Sequence, residues 1–216
     1  MALSEFLTVS VVTEILALIA SFLCFGKKDA RYLCTLPFYL LFVLSIEFLG
    51  YYYHSLKRPN YVFYNFLMLI QAIYFCFLFY RFDIEKKGST IILLLLLAFV
   101  ITFLLEGINI SFSAYNIYSR QALSILVLVL CFRFYYLLLK NDTISFPLNY
   151  PPFWIVTGLL VFYLGTVGLF AFYKQVSSIK LSGNNTFYDI LMGTFCCILY
   201  GSWIIAIICQ KKQEQL

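Results

Sequence analysis

Charged residues are scarce in this chain: 15 Lys and Arg and 10 Asp and Glu make up 12% of its 216 residues. Soluble globular domains are roughly 25% charged and about half apolar, whereas 63% of this chain is hydrophobic. No segment is both long enough and polar enough to form a separate soluble domain. The sequence therefore predicts a single integral membrane domain over residues 1–216, with the lipid bilayer as its surroundings.

Motifs for catalysis and metal binding are lacking as well. The chain has no H-E-x-x-H, no G-x-S-x-G and no phosphate-binding glycine loop. Its one histidine, His54, has no paired cysteine spacing or acidic loop cluster to complete a metal site. No basic run is interleaved with exposed aromatics, as nucleic-acid-binding proteins require. We therefore expect no enzymatic activity, no cofactor, no metal and no nucleic-acid partner.

What the chain does have is apolar runs of about the length that a helix needs to cross a bilayer, roughly 20 residues. The first run has no basic segment before it and no small-residue cleavage site, so we interpret it as a retained span rather than a signal peptide. The fourth run is the shortest, so its loss would reduce the count to six. The predicted all-α bundle has seven spans, at residues 6–25, 33–53, 61–80, 90–105, 119–139, 153–173 and 187–209.

The distribution of cations predicts how this bundle is oriented. With the N-terminus outside, the inner segments hold ten of the fifteen Lys and Arg residues, and cytoplasmic loops are enriched in both. None of the seven cysteines falls in an outer loop, so no disulfide framework is implied. We predict an N-out, C-in bundle. The five outer cations are Lys57, Arg58, Arg120, Lys174 and Lys180.

The second and sixth predicted spans resemble each other. Each has a proline near its start and a glycine at the same spacing further on, Pro37 with Gly50 and Pro152 with Gly165. We interpret this as a 3+1+3 parallel repeat, in which spans one to three recur as spans five to seven. The alternative is coincidence, because Phe, Tyr and Leu are common here and proline is tolerated at helix starts. The spans that follow begin Phe63-Tyr64-Asn65 and Phe187-Tyr188-Asp189.

Carboxylates inside the apolar runs are the main candidates for function. A charge at the centre of a bilayer costs roughly 3 kcal/mol even on translocon scales, so such residues usually face a partner or a wet cavity. The candidate is an outward-opening cavity lined by Glu14, Glu47, Gln71 and Tyr52, with Arg120 as the countercharge. Such a cavity would suit a cationic or polyhydroxylated ligand, or a proton.

The same residues also have a structural interpretation. Glu47 could pair with a Tyr, His or Arg side chain and simply hold two helices together. For Glu106, Arg120 and Asp189, which lie near the predicted membrane interface, a structural role is favoured. Small-residue stripes such as Gly193, Cys197 and Gly201 are typical of helix packing in lipid.

A segment rich in proline and aromatics carries a resemblance to known proteins. Residues 149–155 (Asn-Tyr-Pro-Pro-Phe-Trp-Ile), with Gly158 and the Tyr-rich third and fifth spans, resemble uncharacterised bacterial seven-transmembrane-helix proteins. In that group a similar region also occurs as the membrane input module of sensor kinases. Microbial rhodopsins and three-one-three transporters are similar in topology only, since the seventh span has no retinal lysine and Pro37 and Pro152 precede Phe rather than Gln.

The resemblance implies a non-enzymatic sensor or receptor-like module in the bacterial inner membrane that binds a small ligand from outside. The chain departs from the kinases by ending at Leu216, so we expect it to signal through a separate protein at the cytoplasmic loops. A small-molecule or ion transporter with Glu47 as its coupling acid is the first alternative. An accessory or effector protein of a bacterial defence system, acting as a homo-oligomer, is the second.

Overall fold

The computed structural model describes residues 8–24, 33–83, 89–109, 114–140, 147–179 and 186–213. Across these ranges the regular secondary structure is helical, as the composition predicts. The helices are α1 (Val9–Ser21), α2 (Leu36–Ser55), α3 (Tyr61–Phe82), α4 (Ser89–Asn109), α5 (Ile117–Lys140), α6 (Pro151–Ala171), α7 (Tyr173–Ser178) and α8 (Phe187–Gln213).

Six helices in the described ranges are long and apolar enough to cross a membrane, namely α2 with the turn before it, α3, α4, α5, α6 and α8. This fits a multi-pass integral membrane protein. The fourth span, predicted as the shortest at residues 90–105, is longer in the structure: α4 has 21 residues and continues past Glu106 to Asn109. Helix α1 is apolar but has 13 residues, and both ends of the predicted first span, residues 6–7 and 25, lie outside the described residues.

The helices group into two compact units. Unit 1 contains Thr35–Ser145 and therefore α2 to α5, whereas unit 2 contains Ala2–Cys34 and Phe146–Leu216 and therefore α1 and α6 to α8. The predicted repeat would group the first span with the second and third, but the contacts group it with the sixth and seventh. The repeat and the seven-span count stay predictions.

In unit 1, helix α3 packs against α2, α4 and α5, and α4 also packs against α5. The most apolar of the spans, α4, buries a single stripe that includes Ile92, Phe99 and Phe103. These spacings of seven and four residues place the three side chains on one helix face. Leucines cover the rest of α4, as expected for a helix whose outer surface contacts lipid tails.

In unit 2, helix α8 packs against both α6 and α1. Helix α6 approaches α8 closely at Gly158, where a Cβ would overlap with Ser202 Oγ and lie 3.1 Å from Leu199 O. The Ser202 hydroxyl donates to Leu199 O at 2.7 Å, and Trp203 next to it is 1% exposed. Small residues allow helices to pack this closely in lipid, where no hydrophobic force drives their association.

The helix starts follow ordinary capping chemistry. Pro37 is the second residue of α2, and Pro151 and Pro152 are the first two of α6, where the missing N–H costs nothing. At the start of α8, Asp189 Oδ2 accepts from Thr186 N at 2.9 Å, and Asp189 N donates to Thr186 Oγ1 at 3.3 Å. This reciprocal pair is a capping box, which agrees with the structural role favoured for Asp189.

Candidate ligand-binding site in unit 1

The candidate site lies at one end of unit 1, where α2 leads into α3 and α4 leads into α5; we call this the Asn60 end. Two residues after the end of α2, Lys57 has a φ of 54°, which places it in the left-handed region, where glycine is usual. Lys57 N donates to His54 O at 2.9 Å. The Asn60 side chain then closes the turn by donating to Gly50 O at 3.2 Å, which holds the ends of α2 and α3 together.

Two asparagines join α3 to the start of α5. Asn65 Nδ2 donates to Asn116 Oδ1 at 3.1 Å, and Asn116 N donates to Asn65 Oδ1 at 3.1 Å. A second hydrogen on Asn65 Nδ2 reaches Ala114 O at 2.9 Å. Asn65 and Asn116 are 3% and 0% exposed, so this pair is a buried link between segments 51 residues apart in sequence.

One side-chain nitrogen of the Asn65–Asn116 pair takes no part in the hydrogen bonds between the two residues. Among the described residues, Asn116 Nδ2 has no hydrogen-bond acceptor. A buried polar group without a partner costs about 1–3 kcal/mol, so such groups are usually met by water, an ion or a ligand. Asn116 immediately precedes α5, which places this donor at the Asn60 end.

Two tyrosines precede these asparagines in sequence, and they also approach one another. The Tyr64 hydroxyl lies within electrostatic range of both Tyr115 and the Glu47 carboxylate. Gly50 makes room for it, because a Cβ there would lie 2.7 Å from Tyr64 Oη. We call Tyr64, Asn65, Tyr115 and Asn116 the Tyr–Asn cluster.

Arg120 borders the Tyr–Asn cluster on α5. Its Nη1 donates to Tyr115 Oη at 2.6 Å, and its guanidinium carbon lies 5.7 Å from the centre of the Tyr115 ring. Tyr115 Oη in turn contacts Met68 Sδ on α3 at 3.8 Å. Arg120 N also donates to Asn116 O at 3.2 Å, so Arg120 and Asn116 are one turn apart and share a helix face.

Glu106 at the Asn60 end has a different role. Its carboxylate accepts from Tyr118 N at 2.9 Å, from Ser119 N at 2.7 Å and from Ser119 Oγ at 2.6 Å. These amides belong to the first turn of α5, where N–H groups lack partners within the helix and the dipole favours negative charge. Glu106 therefore caps α5 from the end of α4, the structural role that its interfacial position favoured.

Four of the five residues predicted to line the cavity lie in unit 1. Arg120 donates a hydrogen bond to Tyr115 of the Tyr–Asn cluster, and Glu47 lies one turn before Gly50, where Tyr64 packs against α2. Gln71 is half-buried on α3, on the face that carries Tyr64 seven residues earlier.

Tyr52 and Glu14 are placed differently. Tyr52 is 43% exposed, and its ring contacts that of Tyr53 at 6.2 Å between centroids. Glu14 is 1% exposed on α1, which belongs to unit 2. The structure thus brings Glu47 and Arg120 to one cluster and assigns Glu14 to the other unit.

Sequence reasoning missed Tyr64, Tyr115 and Asn116. One signal was present: the dipeptide Tyr-Asn occurs at 64–65 and again at 115–116, near the starts of the third and fifth predicted spans, on the same predicted side of the membrane. With so many tyrosines in the chain, this coincidence indicates little without a tertiary contact.

The chemistry available at the Asn60 end is hydrogen bonding rather than metal coordination. Within the described ranges, no group of three His, Cys, Asp or Glu residues could hold a metal ion. The cluster offers phenol hydroxyls, a buried amide donor, a carboxylate and a guanidinium. These groups bind polar ligands through donors and acceptors in fixed positions.

The opposite end of α3 and α5 carries a second charged contact. Arg133 Nη2 lies 3.3 Å from both Oδ1 and Oδ2 of Asp83. A cavity of about 10 Å³ adjoins this pair, enough for about one water molecule. Its lining residues are Phe79, Phe82, Asp83, Leu130, Arg133, Phe134 and Leu137.

Comparison of the chain with protein-family models, with curated proteins and with solved structures finds no match.

Proposed function

We propose that this protein is a non-enzymatic, sensor-like membrane module that binds a small ligand at the Tyr–Asn cluster between Glu47 and Arg120. One observation carries the proposal: Tyr64 packs against α2 at Gly50, one turn from the acid Glu47, and Arg120 on α5 donates to Tyr115 of the same cluster. Three helices thus supply polar groups to one place.

The cost of these groups in lipid supports a binding role. Ionisable side chains within spans are rare because the apolar phase disfavours them, and they commonly mark ligand or ion pathways. Glu47 and Arg120 are half-buried, so part of each side chain lies at the surface of unit 1. Glu106 accepts three hydrogen bonds from α5 and serves as its cap.

The proposed topology has seven spans, with α1 as part of the first, an outer N-terminus and an inner C-terminus in a bacterial inner membrane. The excess of Lys and Arg on the inner side supports it. In this orientation the Asn60 end faces outward and the Asp83–Arg133 pair faces inward. Helices α3 and α5 connect the two, so a small shift of either helix on ligand binding would reach the inner side.

The signal would then pass to a protein partner at the cytoplasmic loops. Interface and helix shifts of about 1–2 Å are a common means of transmission in switching proteins. The Asp83–Arg133 contact joins α3 to α5 near that side, so a relative movement of the two helices would strain or release it.

Native mass spectrometry of the gently extracted protein tests this proposal. We expect a defined small adduct on the wild type that is lost in Glu47→Gln. The control is Asp189→Asn, which makes the same acid-to-amide change at an exposed position in unit 2. An adduct that survives in Glu47→Gln would count against the site.

Two other results would favour the alternative functions. A ring-sized oligomer carrying only lipid would favour the effector. Substrate flux into proteoliposomes that depends on pH in the wild type, but not in Glu47→Gln, would favour a transporter that uses Glu47 as its coupling acid.

A further inference from the structure

We infer that the ligand of this site is a neutral polyhydroxylated molecule, such as a sugar or polyol; the inference rests on the proposed function. It starts from the unmatched donor in the Tyr–Asn cluster. Asn116 is 0% exposed, and among the described residues its Nδ2 has no acceptor. A ligand that completes the cluster must therefore bring an acceptor atom.

The hydrogen bonds between Asn65 and Asn116 determine which side-chain atom of Asn116 is the nitrogen and which is the oxygen. Asn65 uses Nδ2 as the donor to Asn116 Oδ1 and to Ala114 O, and its Oδ1 accepts from Asn116 N. Turning the Asn116 amide over would place two NH₂ groups against each other. The atom left without a partner is therefore the nitrogen, and the missing group is an acceptor.

The second requirement comes from Glu47. An ionised carboxylate only accepts hydrogen bonds, so a ligand group beside it must donate one or carry positive charge. Arg120 on the same face as Asn116 only donates and so matches a second acceptor. The cluster and its two neighbours thus offer donors from Asn116 and Arg120 and an acceptor from Glu47.

Three ligand classes meet these requirements unequally. An ammonium or quaternary cation suits Glu47 but has no acceptor for Asn116. A carboxylate suits Asn116 and Arg120 but has no donor for Glu47, which would repel it. A hydroxyl is both a donor and an acceptor, so several hydroxyls on one rigid frame match all three residues.

Thermal unfolding of the purified protein with three probe classes at equal ionic strength tests the inference. The probes are maltose and inositol, tetramethylammonium chloride, and sodium succinate. Excluded sugars raise the stability of most proteins in a linear, non-saturable way. The expected result is therefore a saturable rise in the melting temperature, given by maltose or inositol alone.

The key variant is Asn116→Asp, which keeps the Oδ1 acceptor and the backbone donor used by Asn65 and replaces only the Nδ2 donor by an oxygen. A hydroxyl that accepts from Nδ2 would have to turn round and give up its own donor contact to meet the new oxygen, so the apparent affinity should weaken about tenfold. Asn109→Asp is the matched control, because it adds the same charge at the exposed end of α4. Tyr64→Phe, which leaves both asparagines in place, is a second test and should also weaken binding.

The outcomes separate the ligand class from the function. A saturable shift given only by tetramethylammonium and lost in Glu47→Gln would keep the proposed function and overturn the polyol inference. A saturable shift given by succinate alone and lost in Asn116→Asp would also keep the proposed function and overturn the polyol inference. A sugar shift that Asn116→Asp leaves unchanged would overturn the role of Asn116. With no saturable shift from any class, the polyol inference fails, while the adduct test on Glu47→Gln still decides the function.

Discussion

Arg133 on α5 reaches Asp83, the residue that follows α3, with its Nη2 atom 3.3 Å from each carboxylate oxygen. The Asp83 side chain is 1% exposed and the Arg133 side chain 18%. Removing one partner of a buried ion pair typically costs about 3 kcal/mol or more, because the attraction between the two charges no longer offsets the hydration that they lose on burial.

We therefore expect Arg133→Ala to lower the thermal stability clearly, measured by unfolding in detergent. Arg81→Ala is the control: Arg81 is a nearby exposed cation whose described contact is with the Phe77 ring at 5.2 Å, and its loss should cost less than about 1 kcal/mol. The double variant Asp83→Arg with Arg133→Asp exchanges the two charges and should recover part of the lost thermal stability. Equal effects of Arg133→Ala and Arg81→Ala would contradict a special role for the pair.

In unit 2 the close packing of α6 on α8 predicts that alanine substitutions at two glycines of α6 differ strongly in their effect on stability. Gly158→Ala would push its Cβ into Ser202 Oγ and to 3.1 Å from Leu199 O, and overpacking of this kind costs about 1–3 kcal/mol. Gly168→Ala meets nothing within 4 Å and should be neutral or stabilising, because alanine favours the helix by up to about 1 kcal/mol. Melting temperatures of the two variants provide the comparison.

Relief of that clash is the further check. Ser202→Gly removes both of the Ser202 atoms that Gly158→Ala would contact, so the double variant should be more stable than Gly158→Ala alone. No recovery would place the strain at Leu199 O, a backbone atom that cannot move aside.

The cap on α5 predicts graded effects at Glu106 and Ser119. Glu106→Ala removes the acceptor of three hydrogen bonds and should cost about 1–2 kcal/mol, the upper range for a lost helix cap. Ser119→Ala removes only the hydroxyl contact and should cost less. Glu106→Gln keeps an acceptor but loses the charge that favours the helix N-terminus, so it should fall between them. Thermal unfolding gives the order, and equal values for all three would argue against capping.

The sequence predicted the helices well but not the way they pair. A membrane span is signalled by the length of its apolar run, a local property, so α2 to α6 and α8 lie close to the predicted ranges. The grouping of α1 with α6 and α8 depends on contacts between residues far apart in sequence. Run length carries no information about those contacts.

The candidate site could likewise be predicted only where local sequence properties indicate it. The cost of a charge in lipid pointed to Glu47 and Arg120; Arg120 donates to Tyr115 of the cluster, and Glu47 lies one turn from Gly50, where Tyr64 packs. The Asn65–Asn116 pair could not be predicted, because its two halves are 51 residues apart and asparagine at a helix start has an ordinary capping explanation. The same energetic argument singled out Glu14, and it does not say which helices such a residue faces.

The orientation predicts which loops can be labelled from outside the cell. Lys57, in the exposed turn after α2, and Lys140, at the end of α5, are both exposed and belong to opposite predicted sides. In a background without native cysteines, Lys57→Cys should react with a membrane-impermeant maleimide in intact cells, whereas Lys140→Cys should react only after permeabilisation. The reverse pattern would invert the topology and move the Tyr–Asn cluster to the cytoplasmic side.

Gly50 offers a way to disturb the Tyr–Asn cluster without removing any of its polar groups. An alanine Cβ there would lie 2.7 Å from Tyr64 Oη and 2.9 Å from Cζ, so the ring must rotate away. The ring end is mobile and alanine favours the helix, so the melting temperature should change little. The saturable ligand shift, however, should fall several-fold if the Tyr64 hydroxyl has to stay beside Glu47 for binding. Gly193→Ala, where nothing lies within 4 Å, controls for the helix effect, and an unchanged ligand shift in Gly50→Ala would remove Tyr64 from the site.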